Sequence, residues 1–170
     1  MASLVDELLD DLRNENAEYE KLLVTADQKR QMIINGETEE LEAITAKEEQ
    51  LGNNLKAMEG RRVQILRDMA VVMGHDGEQV TVTQIIDMLN NQPEERDALT
   101  TARDQLLETA TKLQIANRQN EILLQQALEM VEFDLTLFKS LRQAPQTANY
   151  GQDAYTTGDI LGGSSFDSSQ

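Results

Sequence analysis

The chain has 170 residues and carries 15 Lys and Arg against 31 Asp and Glu, a formal net charge of −16. That balance excludes a phosphate-backbone binder, which needs a basic patch. With no Cys, one His, no Trp and 4% aromatic residues, the chain lacks the parts of disulfide, thiolate-zinc and most nucleophile–His sites, and of base-stacking platforms.

The first element is announced by periodicity. Val5, Leu8, Leu12, Glu15, Tyr19, Leu22, Ala26, Lys29 and Ile33 follow one another at alternating steps of three and four, and seven of the nine are apolar. That is the seam of a coiled-coil-like helix. Ser3 with Asp6 predicts its N-terminal cap, and Asn35-Gly36 predicts its end. A second helix is expected at once, capped by Thr38, with Glu39, Glu40 and Glu42 near the positive end of its dipole. Its seam runs Leu41, Ile44, Glu48, Leu51, Leu55, Met58, Arg62, Ile65, Met69, Val72, with eight of ten apolar. Gly74-His75-Asp76-Gly77 stops it. The two helices, of about 30 and 35 residues, are joined by so short a turn that they must form an antiparallel hairpin.

A short helix follows, with Thr81 and Gln84 as a capping box and Ile85, Ile86 and Leu89 as its apolar side. Asn90-Asn91-Gln92-Pro93 breaks it, and Pro93 is placed to open the last helix. That helix runs to about Arg142, some 75 Å at 1.5 Å per residue. Its seam begins Leu99, Ala102, Leu106, Thr109, Leu113, Ala116, Asn120 and continues Leu123, Ala127, Met130, Asp134, Leu137, Leu141. Beyond it the composition changes. Residues 143–170 hold no Lys or Arg, three Asp, and much Gly, Ser, Thr and Gln, which reads as a disordered tail. The expected organisation is a helical body over 1–142 and a tail over 143–170. The body is all-α, an elongated antiparallel bundle of three long coiled-coil-like helices plus one short one. An acidic N-terminus does not resemble a signal peptide, and no apolar run is long enough to span a membrane, so a soluble cytoplasmic protein is expected.

The last helix is uneven. Beside its seam the first half carries mostly polar residues, among them Arg103, Gln114, Asn117 and Glu121. The second half carries Leu124, Leu128, Val131, Leu135 and Phe138, all apolar. The stripe thus widens from about residue 122, and near Leu128 the helix should outrun a hairpin of about 35 residues. Two readings stand open. The wide stripe packs on both hairpin helices or on a second copy, or it is a docking face for another protein's helix.

No constellation for catalysis or metal binding emerges. The adjacent acidic pairs, such as Asp10-Asp11 and Glu48-Glu49, point about 100° apart on a helix and do not converge. His75 sits in a Gly-flanked loop without the Glu-x-x-His partners of a di-iron bundle. Glu48, Arg62 and Asp134 on the seams are expected to pair across helices and set register. Asn117 and Asn120 serve either register or recognition of a partner's backbone. Tyr150 and Tyr155 repeat a Tyr-then-Gly pattern in the tail, where tyrosines make efficient interface anchors.

Taken together, these residues resemble the FlgN family of flagellar export chaperones. The likeness rests on Leu12…Glu15-Asn16…Tyr19…Leu22-Leu23 and Lys29-Arg30, then on Asn35-Gly36-Glu37-Thr38-Glu39-Glu40-Leu41. It continues through Ile44-Thr45…Glu48-Glu49 and Met58-Glu59…Arg61-Arg62. Late in the chain it takes in Leu113…Asn117-Arg118-Gln119-Asn120…Leu123-Leu124…Leu128-Glu129…Val131 and Tyr150-Gly151. The resemblance implies a cytoplasmic bacterial chaperone, not an enzyme, without cofactor or metal. Such a chaperone binds the hook-filament junction proteins FlgK and FlgL, prevents their premature association and delivers them to the type III export gate, where FlhA is the docking component. It implies that Asn117, Asn120, Leu124, Leu128, Val131, Leu135 and Phe138 face the exported protein and that Tyr150 and Tyr155 serve docking. No nucleic acid and no membrane insertion is implied, and a weak homodimer is compatible with it. The alternative is a structural coiled-coil protein that homodimerises through its C-terminal helix.

Overall fold

A computed structural model describes residues 2–143 and contains four helices: α1 (Ala2–Asn35), α2 (Thr38–Val72), α3 (Val82–Met88) and α4 (Pro93–Gln143). Among the described residues there is no strand. The packing falls into two units, Met1–Leu124 and one that begins at Gln125.

The joints are built as the sequence foretells, with two exceptions. Gly36 takes φ +69°, a left-handed conformation open to glycine at little cost. Its N–H donates to the Ile33 carbonyl at 3.3 Å and the Glu37 N–H to the Met32 carbonyl at 3.0 Å, closing α1 in a Schellman motif. The end of α2 repeats the device: Gly74 donates to Val71 at 3.1 Å and His75 to Ala70 at 2.8 Å. At α3 both halves of the Thr81–Gln84 capping box are present, and Pro93 opens α4. The exceptions are the first two caps. α1 begins at Ala2, so Ser3 lies inside the helix and does not cap it. At α2 the capping position is Glu37, without a side-chain bond, and Thr38 is the first helical residue. The preceding Schellman turn uses the backbone up to Glu37, which leaves Thr38 one position too late.

α1 and α2 pair with strict antiparallel symmetry. Lys29 Nζ donates to Glu48 Oε2 at 2.8 Å and Arg62 Nη1 to Glu15 Oε2 at 2.6 Å. In both pairs the residue numbers add to 77. The same reflection relates Leu8 to Met69, Leu12 to Ile65, Ala26 to Leu51 and Ile33 to Ile44, all buried. The seam polar residues Glu48 and Arg62 therefore do pair across helices, each with a seam residue of α1. Asp134 does not: it is exposed. Val72, read as the last seam residue of α2, is also exposed, and Leu66 and Ala70 are buried on the neighbouring row instead.

The main core lies where four helices meet. Val5, Leu8 and Leu12 of α1 pack with Ile65, Leu66 and Met69 of α2, Ile85 and Ile86 of α3 with Leu89, and Leu99, Ala102 and Leu106 of α4. The short helix is thus clamped onto the hairpin by its apolar side. A smaller cluster follows along α1 and α4, where Ala26 meets Leu113 and Ala116, flanked by Tyr19, Leu22 and Leu23. Within this unit α4 advances in the same direction as α1, since low numbers meet low and high meet high. Contact with both α2 and α4 widens the buried arc of α1 beyond the seam residue Glu15 to include Asp11, Glu18 and Thr25.

Three carboxylates buried on one helix create an unusual polar layer. Asp11 Oδ2, Glu15 Oε1 and Glu18 Oε2 have no hydrogen-bond partner among the described residues. Burial pushes the Glu15 carboxyl up to about 7; Arg62 opposes this, while Asp11 and Glu59 add to it. Asp11 is raised as well, again chiefly by burial. Tyr19, beside the same layer, has its phenol raised by burial and by the carboxylates of Glu59 and Glu15.

Candidate functional site

The residues singled out on α4 divide between the two units. Asn117, Asn120 and Leu124 come together on a groove of about 430 Å³ whose other walls are Leu22, Lys29, Glu48, Leu113 and Glu121. The floor is apolar, from Leu22, Leu113 and Leu124. Its rim carries the Lys29–Glu48 pair, both partners about one-fifth exposed, and Glu121, which accepts from Arg118 Nη1 at 2.7 Å. Asn117 is exposed and also borders a second groove, beside Tyr19, Ala110 and Gln114.

Asn120 sits differently. It is 4% exposed, and its Nδ2 donates to the Ala26 carbonyl of α1 at 2.8 Å. The small side chains of Ala26 and Ala116 let the two helices come close enough for that reach. This hydrogen bond ties α4 to α1 in one register, which is what a seam asparagine does in a coiled coil. Its Oδ1 lies buried beneath the groove without a hydrogen-bond partner among the described residues.

Leu128, Val131, Leu135 and Phe138 lie in the second unit, on one row of α4, and every one is more than half exposed. Met130, Leu137 and Leu141, seam residues past the point where the helix is expected to outrun the hairpin, are exposed, as is Phe133, which lies on neither row and which sequence reading missed. At 100° per residue the apolar residues from Leu128 to Leu141 spread over about 220° of the helix, interrupted by Asp134. An apolar arc of that width on a surface helix is far beyond what a solvated face carries. Phe133 was the available signal, since it extends the apolar arc past any single seam. Arg142 lies over the Phe138 ring, 5.6 Å from its centroid, at the end of the face.

Tyr150 and Tyr155 lie outside the described residues. Among the described residues no group of three His, Asp or Glu side chains could hold a metal ion, and no helix is long and apolar enough to cross a membrane. What the arrangement offers chemically is apolar contact area on a helix, edged with charge.

A family model described as FlgN protein matches residues 1–158. No curated protein and no solved structure matches the chain.

Proposed function

Because the chain belongs to the FlgN family of flagellar export chaperones, we propose that it captures the hook-filament junction proteins FlgK and FlgL in the cytoplasm and delivers them to the export gate component FlhA. One observation supports this most. The apolar residues from Leu128 to Leu141 are exposed on a helix, as a surface must be that lends a helical partner to a segment lacking one. The exported protein's terminal helix lies along Leu128, Val131, Leu135 and Phe138, as an amphipathic helix lies on an apolar groove. In the first unit Asn117 and Leu124, exposed beside the groove, are offered to the exported protein, and Asn120 beneath them holds that groove in register through Ala26. Capture must suppress aggregation and still permit release, so a dissociation constant of about 0.1–1 μM, about −8 to −10 kcal/mol, is expected. Tyr150 and Tyr155 serve the docking step.

Calorimetry with the C-terminal segments of FlgK and FlgL tests the reading. One-to-one binding is expected, weakened by about a hundredfold or more in Leu128→Asp, which places a charge in an apolar contact. Because Leu128 is 58% exposed, the circular dichroism of that variant should stay helical. Failure of both segments to bind, or unfolding of Leu128→Asp, refutes the assignment. Alanine at Tyr150 and Tyr155 should spare binding and impair secretion; normal secretion removes their docking role.

A further inference from the structure

The exposed face of α4 carries charge in a self-complementary order. Within its second unit the acidic residues, Glu129, Glu132 and Asp134, come first, and the basic residues, Lys139 and Arg142, come last. Glu132 and Lys139 flank the same edge of the row formed by Leu128, Val131, Leu135 and Phe138, each one position after a row residue. These are the flanking positions through which neighbouring coiled-coil helices exchange ion pairs.

We propose that this face is occupied, when no exported protein is bound, by the same segment of a second copy running antiparallel. Turn a second α4 end for end and set Leu135 against Phe138 of the other copy. The two-fold relation then repeats the contact, as an isologous interface requires. Val131 falls opposite the aliphatic stem of Arg142, whose charged end reaches water. On the flank Glu132 meets Lys139 of the other copy, and Lys139 meets its Glu132. Both ion pairs come from one register. A parallel pairing is poorer: it sets Arg142 against Arg142 in a core layer, like charge on like.

The interface is short, so self-association is weak, and it consumes the row assigned above to the exported protein. The dimer therefore shields apolar surface in the free protein and is dissolved by capture. The pairing itself does not depend on that assignment, since it follows from the charge order and the exposure of this segment.

Sedimentation of the full chain over a concentration series tests it. The wild type should show a monomer–dimer equilibrium. Glu132→Lys and Lys139→Glu each turn two attractive pairs into two repulsive ones and should weaken the dimer by about tenfold or more, most at low salt. The double variant Glu132→Lys/Lys139→Glu restores opposite charges across the two-fold and should recover the wild-type constant. Both positions are exposed, so circular dichroism should be unchanged. A wild type that stays monomeric at several hundred micromolar overturns the proposal. So does a double variant that fails to recover. Recovery by Asp134→Lys/Lys139→Glu in its place would establish a parallel pairing and overturn the antiparallel one. Calorimetry with the FlgK and FlgL segments on the same variants is read separately. A dimer without segment binding leaves this inference standing and removes the capture role, and binding by a strictly monomeric chain does the reverse.

Discussion

Replacing Glu15 by Gln should abolish a pH dependence that runs opposite to the usual acid denaturation. Glu15 is 1% exposed and receives a hydrogen bond from Arg62 Nη1 at 2.6 Å. Even so, burial, with Asp11 and Glu59 nearby, raises its pKa from 4.5 to about 7. In the unfolded chain the group returns to its ordinary value. A raised native pKa means the folded state binds the proton more tightly than the unfolded state does. The stabilisation is complete below about pH 4.5 and is lost as pH rises through about 7. A shift of this size corresponds to about 3 kcal/mol at 1.36 kcal/mol per unit, or roughly 10 °C in Tm for a chain of this size. Asp11, raised by the same burial, acts in the same direction. Gln keeps the shape and an oxygen for Arg62 but cannot ionise. Urea denaturation of wild type and Glu15→Gln, followed by circular dichroism from about pH 5 to pH 8, isolates the effect in the difference between the two curves. The variant should gain on the wild type by about 2–3 kcal/mol over that range. Curves that stay parallel would show that Glu15 titrates normally and that the Arg62 pairing fully offsets its burial.

Three further outcomes test the fold's joints by urea denaturation. Asn120→Ala should cost about 1 kcal/mol, the worth of one hydrogen bond whose acceptor keeps its own helical partner; a loss above about 3 kcal/mol would mean that Oδ1 is engaged as well. Gly36→Ala should cost about 1–2 kcal/mol from the left-handed backbone alone, because a Cβ there would meet nothing within 4 Å; an unchanged midpoint would show a different turn in solution. Thr81→Ala removes the side-chain acceptor of the Gln84 N–H and should cost about 1 kcal/mol; no loss would show that α3 is held by Ile85 and Ile86 without its cap.

Much of this architecture is written in one dimension. Once both seams and the glycine that ends α1 are identified, antiparallel pairing leaves almost no freedom. The reflection that matches Leu8 with Met69 also matches Glu15 with Arg62 and Lys29 with Glu48. The capping box at Thr81 and the helix start at Pro93 are equally local, because each depends on residues within one turn. The cap at Thr38 departs from its sequence reading for the converse reason. Side-chain capping competes with how the preceding backbone enters the helix, and at Thr38 that entry is set by the Schellman turn.

Periodicity, charge and turn chemistry by themselves determined an acidic all-helical chain with a hairpin, a short clamped helix, a long last helix and an apolar stripe that widens along it. Tertiary structure decided which side chains that pattern buries. The packing of α1 against both α2 and α4 drew Asp11 and Glu18 out of water beside the seam residue Glu15, although both would read as solvated on a helix wheel. It spent the Asn120 amide on Ala26. Met130, Leu137 and Leu141 are exposed, as the helix lengths foretell, though they continue the same seam that buries Leu99, Leu106 and Leu113. A period states which residues share a side of a helix, whereas burial requires a second surface at that place, and the position of that surface is set by the rest of the chain.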